Sequence, residues 1–377
     1  MAAAAWSLRC RVVAGPRMRP DLQGVPVYRP GRPSGETEQL SALASNENPY
    51  PPLPSVVDAI RGAAEQAHRY PEMTSATLGH AVADHLDVPV DDVVLGPGSV
   101  GVLQALVTAM TGPGDEVVFA WRSFEAYPIV TRVAGATPVS VPLTSDGRHD
   151  VAGLAAAVTP RSRLLLVCSP NNPTGPVLMG DELAWLLDRV PDDLLVVIDE
   201  AYVEFVRDPA AADGLAAYRR RGNVAVLRTF SKAYGLAGLR VGYGIAHDPV
   251  ATALRTTSLP FGVSAPAQAA AMASLRHADE LEQRVDTVVA ERERVVAALA
   301  GVGWQVPESQ ANFVWLEAGV ATAELAAAFR QAGLAVRAFE GDGDDSGVRL
   351  TIGTPHDNNR ALGVATTWHA AARPVST

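Results

Sequence analysis

Lys232 follows the apolar run 224–227 in the segment Thr229-Phe230-Ser231-Lys232-Ala233-Tyr234-Gly235-Leu236-Ala237-Gly238-Leu239-Arg240. A run of that length bounded by polar residues reads as a buried strand, with the lysine at its mouth. Hydroxyls before it and a glycine-spaced arginine after it suit a Schiff base formed beside a bound phosphate. Only a neutral amine is nucleophilic, and partial desolvation next to Arg228 and other cations is a reason for a depressed pKa. A lone lysine is ordinarily a solvated surface residue; the neighbours single this one out. Two further strand ends carry polar clusters: Ser169-Pro170-Asn171-Asn172-Pro173-Thr174-Gly175 after 164–167, and Asp199-Glu200-Ala201-Tyr202 after 194–198. Open α/β sheets place their ligands at such carboxyl ends of strands.

Asp199 could simply cap a turn. Its chemical alternative is to hold a pyridinium nitrogen protonated, which turns the ring into an electron sink. Tyr202 and Asn172 can hydrogen-bond a phenolic oxygen on the same ring. Gly96-Pro97-Gly98-Ser99 leads into a helix start, where small residues and unpaired N–H groups receive phosphate. Ser231, Thr229 and Arg240 add donors for a buried dianion. Arg349 alternates with apolar residues in Gly347-Val348-Arg349-Leu350-Thr351-Ile352-Gly353. Facing inward it needs a carboxylate partner, for which a substrate α-carboxylate held bidentately is the sharper reading and a surface arginine the plainer one. Together these groups read as a site for pyridoxal 5'-phosphate in an enzyme that transfers amino groups.

The elements that must position them follow from periodicity. Residues 19–54 are dense in Pro and Gly and read as an extended arm carrying Tyr28 and Tyr50. Ser55 reads as the N-cap of a helix that ends before Pro71. From about 75 to 260, helical stretches (77–85, 101–110) alternate with short strands (93–95, 117–119), the signature of a mostly parallel sheet. Beyond 266 come the helices 267–277 and 281–299, then short strands near 312–316, 334–337 and 348–352. The expected fold is α/β: a mostly parallel central sheet with helices on both faces, plus a smaller α+β domain. The expected division is 1–17 as a disordered extension or over-called start, 18–54 as arm and part of the small domain, 55–265 as the large cofactor-binding domain, and 266–377 as the small C-terminal domain.

Composition limits the alternatives. With 377 residues, 48% hydrophobic and 19% charged, the chain can bury two cores. No apolar stretch reaches the ~18 residues of a membrane span. A formal net charge of −10 argues against nucleic acid as a partner. Cys10 and Cys168 make neither a disulfide framework nor a metal set, and the eight histidines are scattered, so no metal is expected. The cytoplasm is the expected compartment.

The motifs Ser45-Asn46-Glu47-Asn48-Pro49, Arg69-Tyr70-Pro71-Glu72, Ser169 through Gly175, Asp199-Glu200-Ala201-Tyr202 and Phe230-Ser231-Lys232-Ala233 through Arg240 occur in one order. From about Pro20 onward the chain resembles the fold-type I pyridoxal-phosphate aminotransferases, in the group containing histidinol-phosphate and bacterial aromatic aminotransferases. The resemblance implies that Lys232 bonds the cofactor aldehyde, Asp199 pairs with the pyridinium, and Asn172 and Tyr202 hold the phenolic oxygen. It implies Ser99, Ser231 and Arg240 as phosphate binders, and Phe124 as a ring over the cofactor face. Tyr70 matches a tyrosine that reaches the neighbouring subunit's phosphate, which implies a homodimer with shared sites. Arg349 resembles a carboxylate clamp and Arg337 a second substrate-side arginine, while Asn312 lies in a segment that typically faces the substrate.

Two departures bear on the substrate. Histidinol-phosphate enzymes usually have an acidic residue after the phosphate-loop serine, where this chain has Val100-Gly101. The segment Trp121-Arg122-Ser123-Phe124-Glu125 is similar to the actinobacterial phenylalanine (aromatic) aminotransferases, and Tyr28 could add an aromatic wall. The expected reaction moves an amino group between phenylalanine/phenylpyruvate and glutamate/2-oxoglutarate, amino acid and 2-oxo acid being the small-molecule partners. Histidinol-phosphate aminotransfer is the alternative. A threonine-phosphate type decarboxylase would release carbon dioxide without consuming an oxo acid. A transcription regulator would need a DNA-binding module, for which residues 1–30 are too short and too rich in Pro and Gly.

Overall fold

The computed structural model describes Arg19, Leu22, Gly24, Val25 and residues 40–341 and 346–372. Tyr28 and the segment 1–17 lie outside the described residues. Among the described residues the first strand is β1 (Ser41–Leu43), followed by α1 (Pro54–Ala64) and α2 (Ala76–Leu86). Next come β2 (Val93–Gly96), α3 (Gly98–Met110), β3 (Glu116–Trp121), α4 (Ala126–Ala134), β4 (Thr137–Pro142), α5 (Val151–Ala156), β5 (Ser162–Cys168) and α6 (Gly180–Leu187). The strands β6 (Leu195–Asp199), β7 (Val224–Thr229) and β8 (Gly242–Ile245) follow, with α7 (Gly214–Arg220) between the first two. Helices α8 (Val250–Thr257), α9 (Ala265–Arg276) and α10 (Ala278–Gly301) then lead to β9 (Phe313–Glu317), α11 (Thr322–Gln331), β10 (Leu334–Phe339), β11 (Gly347–Thr351) and α12 (Pro355–Ala372).

Seven strands form the larger sheet in the order β2-β8-β7-β6-β5-β3-β4. The pairs among β4, β3, β5, β6 and β7 are parallel, and β8 runs antiparallel to both β7 and β2. The central strands are apolar on both faces: 164–168 and 195–199 are buried throughout, as a sheet covered on two sides requires. The cores on those faces are separate clusters, one including Val167, Val196 and Val226, the other Leu166, Val197 and Leu227. After β3 the chain steps outward to β4 and then returns to β5 on β3's other side. That reversal opens a crevice at the carboxyl ends of the strands.

The smaller sheet has the order β1-β10-β11-β9, with β1 parallel to β10 and the rest antiparallel. Its core is built on Phe313, Leu316, Phe329 and Leu350 with the inner stripe of α10. The arm is thereby tied, through β1, to strands some three hundred residues away. Helix α9 packs its alanines Ala267, Ala270 and Ala271 into the larger core, and α10 packs its inner stripe into the smaller one. Helix α1 also differs in detail. Leu53 occupies its N-cap and Pro54 starts it, so Ser55 is not the cap; proline is at ease there because the first N–H is unpaired anyway.

Candidate active site

Adjacent parallel strands bring the two chief residues together. Asp199 is the last residue of β6 and Lys232 lies three residues beyond β7, its neighbour in the sheet. A buried ion pair locks the two strand ends: Arg228 donates to Glu200 through Nε at 2.8 Å and Nη2 at 2.7 Å. Glu200 also accepts from the Gly214 amide at 2.8 Å. Arg228 thus spends its charge on Glu200, and the cations that bear on Lys232 are others. Burial foremost, then Arg349 and Arg240 against an opposing Glu47, lowers the Lys232 ammonium to about 7. Its Nζ donates to the Ser45 carbonyl at 2.9 Å.

Both side chains line one cleft of about 510 Å³, shared with Ser99, Phe124, Asn172, Tyr202, Ser231, Arg240, Arg337 and Arg349. This volume is within the usual range for a small-molecule site. Asp199 is only 5% exposed. Its Oδ2 accepts from Tyr127 Oη at 2.9 Å, while its Oδ1 is buried without a hydrogen-bond partner among the described residues. Burial pushes the carboxyl up to about 6, against the lowering effect of Tyr127. An unpaired buried carboxylate oxygen is costly, and a cationic N–H delivered by a ligand would satisfy it. This is the fit expected of a pyridinium.

The other end of the cleft is shaped for phosphate. Helix α3 starts at Gly98 with Pro97 as its N-cap, so Ser99 sits in the first turn and is not the cap itself. Ser231 Oγ accepts from Thr229 Oγ1 at 2.9 Å and from Arg240 Nη1 at 3.3 Å. Gly98 has φ +77°, and a Cβ there would lie 2.5 Å from Arg240 Nη2. A Cβ on Gly242 would collide with the Ser99 amide nitrogen. Those glycines let a helix start, a serine and an arginine converge, as an anion site needs. The residues present thus fit pyridoxal phosphate at both ends.

Other expected residues fall differently. Arg349 is buried, donating to Asn172 Oδ1 and, at 2.6 Å, to the Ala44 carbonyl. It is inward-facing, as the strand alternation implied. Tyr202 is buried and its hydroxyl accepts from Asn46 Nδ2 at 2.9 Å; burial pushes that phenol well up. Phe124 packs edge-on against Tyr127, centroids 5.7 Å apart. Arg337 donates to Glu125 Oε2 at 2.7 Å on the cleft wall. One expectation needs correction. Asn312 is fully buried behind the wall, donating to the Asn46 carbonyl at 3.1 Å, and does not line the cleft. Tyr70, expected at a neighbouring subunit's phosphate, lies outside this chain's own cleft, 84% exposed, with its ring 4.8 Å from Phe261.

The sequence reading missed Tyr127, Asn46 and the Glu200–Arg228 pair. Tyr127 sits on the inner stripe of α4, so burial was legible. Its partner 72 positions later was not. Asn46 adopts φ +53° and is gripped by Thr351, whose Oγ1 accepts from the Asn46 amide and donates to its Oδ1, both at 3.0 Å.

Comparison with known proteins agrees with this geometry. An aromatic amino acid aminotransferase of Streptomyces avermitilis is 55% identical over 350 residues, covering 93% of this chain and 96% of that one. One of the same name from Thermobifida fusca is 55% identical over 357 residues, covering 94% and 97%. Among solved structures, histidinol-phosphate aminotransferase from Sinorhizobium meliloti in complex with pyridoxal-5'-phosphate superposes with a TM-score of 0.86 at 28% identity, covering 96% of this chain and 99% of that one. Residues 38–364 match the family described as aminotransferase class I and II, and the chain belongs to that family.

Proposed function

We propose that this enzyme moves an amino group between an aromatic amino acid, phenylalanine foremost, and 2-oxoglutarate, with pyridoxal phosphate as its cofactor. The observation that carries the reading is the pairing of Lys232 and Asp199 Oδ1 across one cleft, at the tips of neighbouring strands. The aromatic substrate is supported by relatives sharing over half of their residues with this chain, and by Phe124 and Phe339 in the cleft wall.

When bound, pyridoxal phosphate supplies an aldehyde carbon and a ring that accepts the electron pair left by a broken substrate C–H bond. The chain's own residues do the rest. Asp199 Oδ1 would pair with the ring nitrogen and favour its charged form, on a carboxylate whose other oxygen Tyr127 fixes. Lys232 Nζ would hold the cofactor's aldehyde end, and as a free amine, lowered by burial to a pKa of about 7, it is suited to accept and return the proton of the substrate α-carbon. Arg349 orients the substrate by its α-carboxylate. Phe124 would cover the ring face, and Tyr202 with Asn172 would hold the phenolic oxygen.

The active unit is proposed to be a homodimer. Tyr70, Met73, Leu259 and Phe261 are exposed large apolar residues that neighbour one another, Tyr70 against the Phe261 ring and the Phe261 amide donating to the Met73 carbonyl, and Tyr70 would then serve the neighbouring subunit's site. The buried free thiol of Cys168 suits a reducing compartment, the cytoplasm. Among the described residues no helix is long and apolar enough to cross a membrane. The test is a steady-state comparison of phenylpyruvate with glutamate against histidinol phosphate with 2-oxoglutarate. A higher kcat/KM for histidinol phosphate would reject the aromatic assignment.

A further inference from the structure

Resting on that aromatic reading, the geometry points to Glu125 as the residue that lets one cleft accept both an apolar ring and a dicarboxylate: it neutralises Arg337 for the first and yields it to the second. Arg337 and Arg349 are directly opposed partners on the antiparallel strands β10 and β11, so both guanidinium groups leave the same face of the sheet. Both flank the ring of Phe339, at 5.5 and 5.4 Å from its centroid. All three residues line the cleft. The two arginines differ in how they are held. Arg349 is fixed by Asn172 and a backbone carbonyl in a buried setting. Arg337 is met by Glu125, whose side chain remains 31% exposed.

The two substrates make opposite demands on that second arginine. A benzyl side chain beside an uncompensated guanidinium would strip its water and return no hydrogen bond. The Glu125 carboxylate removes that penalty. The distal carboxylate of 2-oxoglutarate, by contrast, is a competitor for Arg337 and must take Glu125's place. Glu125 has somewhere to go, since it is partly solvent-exposed, and it occupies the N-cap of α4, where the helix's positive end tolerates a freed acid. Its position directly after Phe124 couples the pair to another side chain of the cleft wall. A phosphate on a substrate side chain would face the same competition.

The experiment uses Glu125→Gln, which keeps the shape and removes the charge, in the cofactor-loaded enzyme. Each half-reaction of a two-stage transfer reports one substrate, so kcat/KM is measured separately for phenylalanine and for 2-oxoglutarate. The expected result is a KM for 2-oxoglutarate lower by about tenfold, a kcat/KM for phenylalanine unchanged or lower, and hence a ratio shifted about tenfold or more toward the dicarboxylate. Glutarate, which has no group to react, should bind about tenfold tighter by calorimetry. In an Arg337→Gln background the same Glu125→Gln change should shift neither quantity, because the charge it released is gone. A ratio and a glutarate affinity both within twofold of wild type overturn the proposal, as does a shift that persists without Arg337. Glutarate binding reads the gate independently of turnover. A wild-type enzyme inactive on phenylalanine would therefore sink the substrate assignment while the gate is still decided.

Discussion

Replacing Asp199 by Asn should make the cofactor-free protein more stable and the loaded enzyme far less active. The carboxyl is buried with one oxygen unpaired, and its pKa rises from 3.8 to about 6. A carboxyl raised on folding binds protons more tightly in the native than in the unfolded state. Stability is therefore lost as pH rises from about 4 to about 6, and the loss is complete above that. Integrating the two titrations, this group costs about 1.5 kcal/mol at pH 5 and about 3 kcal/mol at pH 8. For a chain of this length that is a melting temperature lower by about 2 °C and about 4 °C respectively. Asn keeps an acceptor for Tyr127 Oη and carries no charge, so stripped Asp199→Asn should melt higher than stripped wild type, with the gap widening between pH 5 and pH 8. Scanning calorimetry of both proteins at the two pH values makes the comparison. Loading with pyridoxal phosphate should close or reverse the gap, because the pyridinium supplies the missing partner. Turnover should fall at least a hundredfold, as about 3 kcal/mol of charge pairing is removed from the ring. A gap that does not depend on pH, or a variant less stable when stripped, would refute the account of Asp199 as a carboxylate waiting for a cation.

Lys232→Ala should abolish amino transfer and the visible absorbance of the bound cofactor; a coloured and active variant would end the assignment. Since the free amine has a pKa near 7 rather than the usual 10.5, the rate at which stripped protein takes up pyridoxal phosphate should climb with pH and level off above about pH 7 to 8, as stopped-flow absorbance will show. A climb continuing to pH 10 would mean that the lysine is solvated. Gly98→Ala introduces a side chain where φ is +77° and Arg240 stands 2.5 Å away, so it should weaken cofactor affinity by about tenfold or more with little change in how the released enzyme folds. Equilibrium dialysis would detect this, and an unchanged affinity would remove Gly98 from the phosphate site.

The chemistry of single positions was legible from the chain alone, along with the alternation of strands and helices. Lys232, Asp199, Asn172 and Ser99 each stand just past an apolar run, and apolar runs of three to five residues between polar breaks read as buried strands. Arg349 alternates with apolar neighbours on β11, so its inward direction followed from the pleat. Strand order and the partners of side chains depend instead on contacts between distant segments, about which local pattern is silent. Tyr127 behind Asp199, Asn46 clasped by Thr351, Asn312 withdrawn from the wall and Arg228 turned toward Glu200 are all of that kind. Tertiary structure alone decided that β6 and β7 lie side by side, so that an amine and a carboxylate thirty-odd positions apart meet across one cleft. It also decided that Glu125 would reach Arg337, because only packing brings the start of one helix to a strand from the other end of the chain.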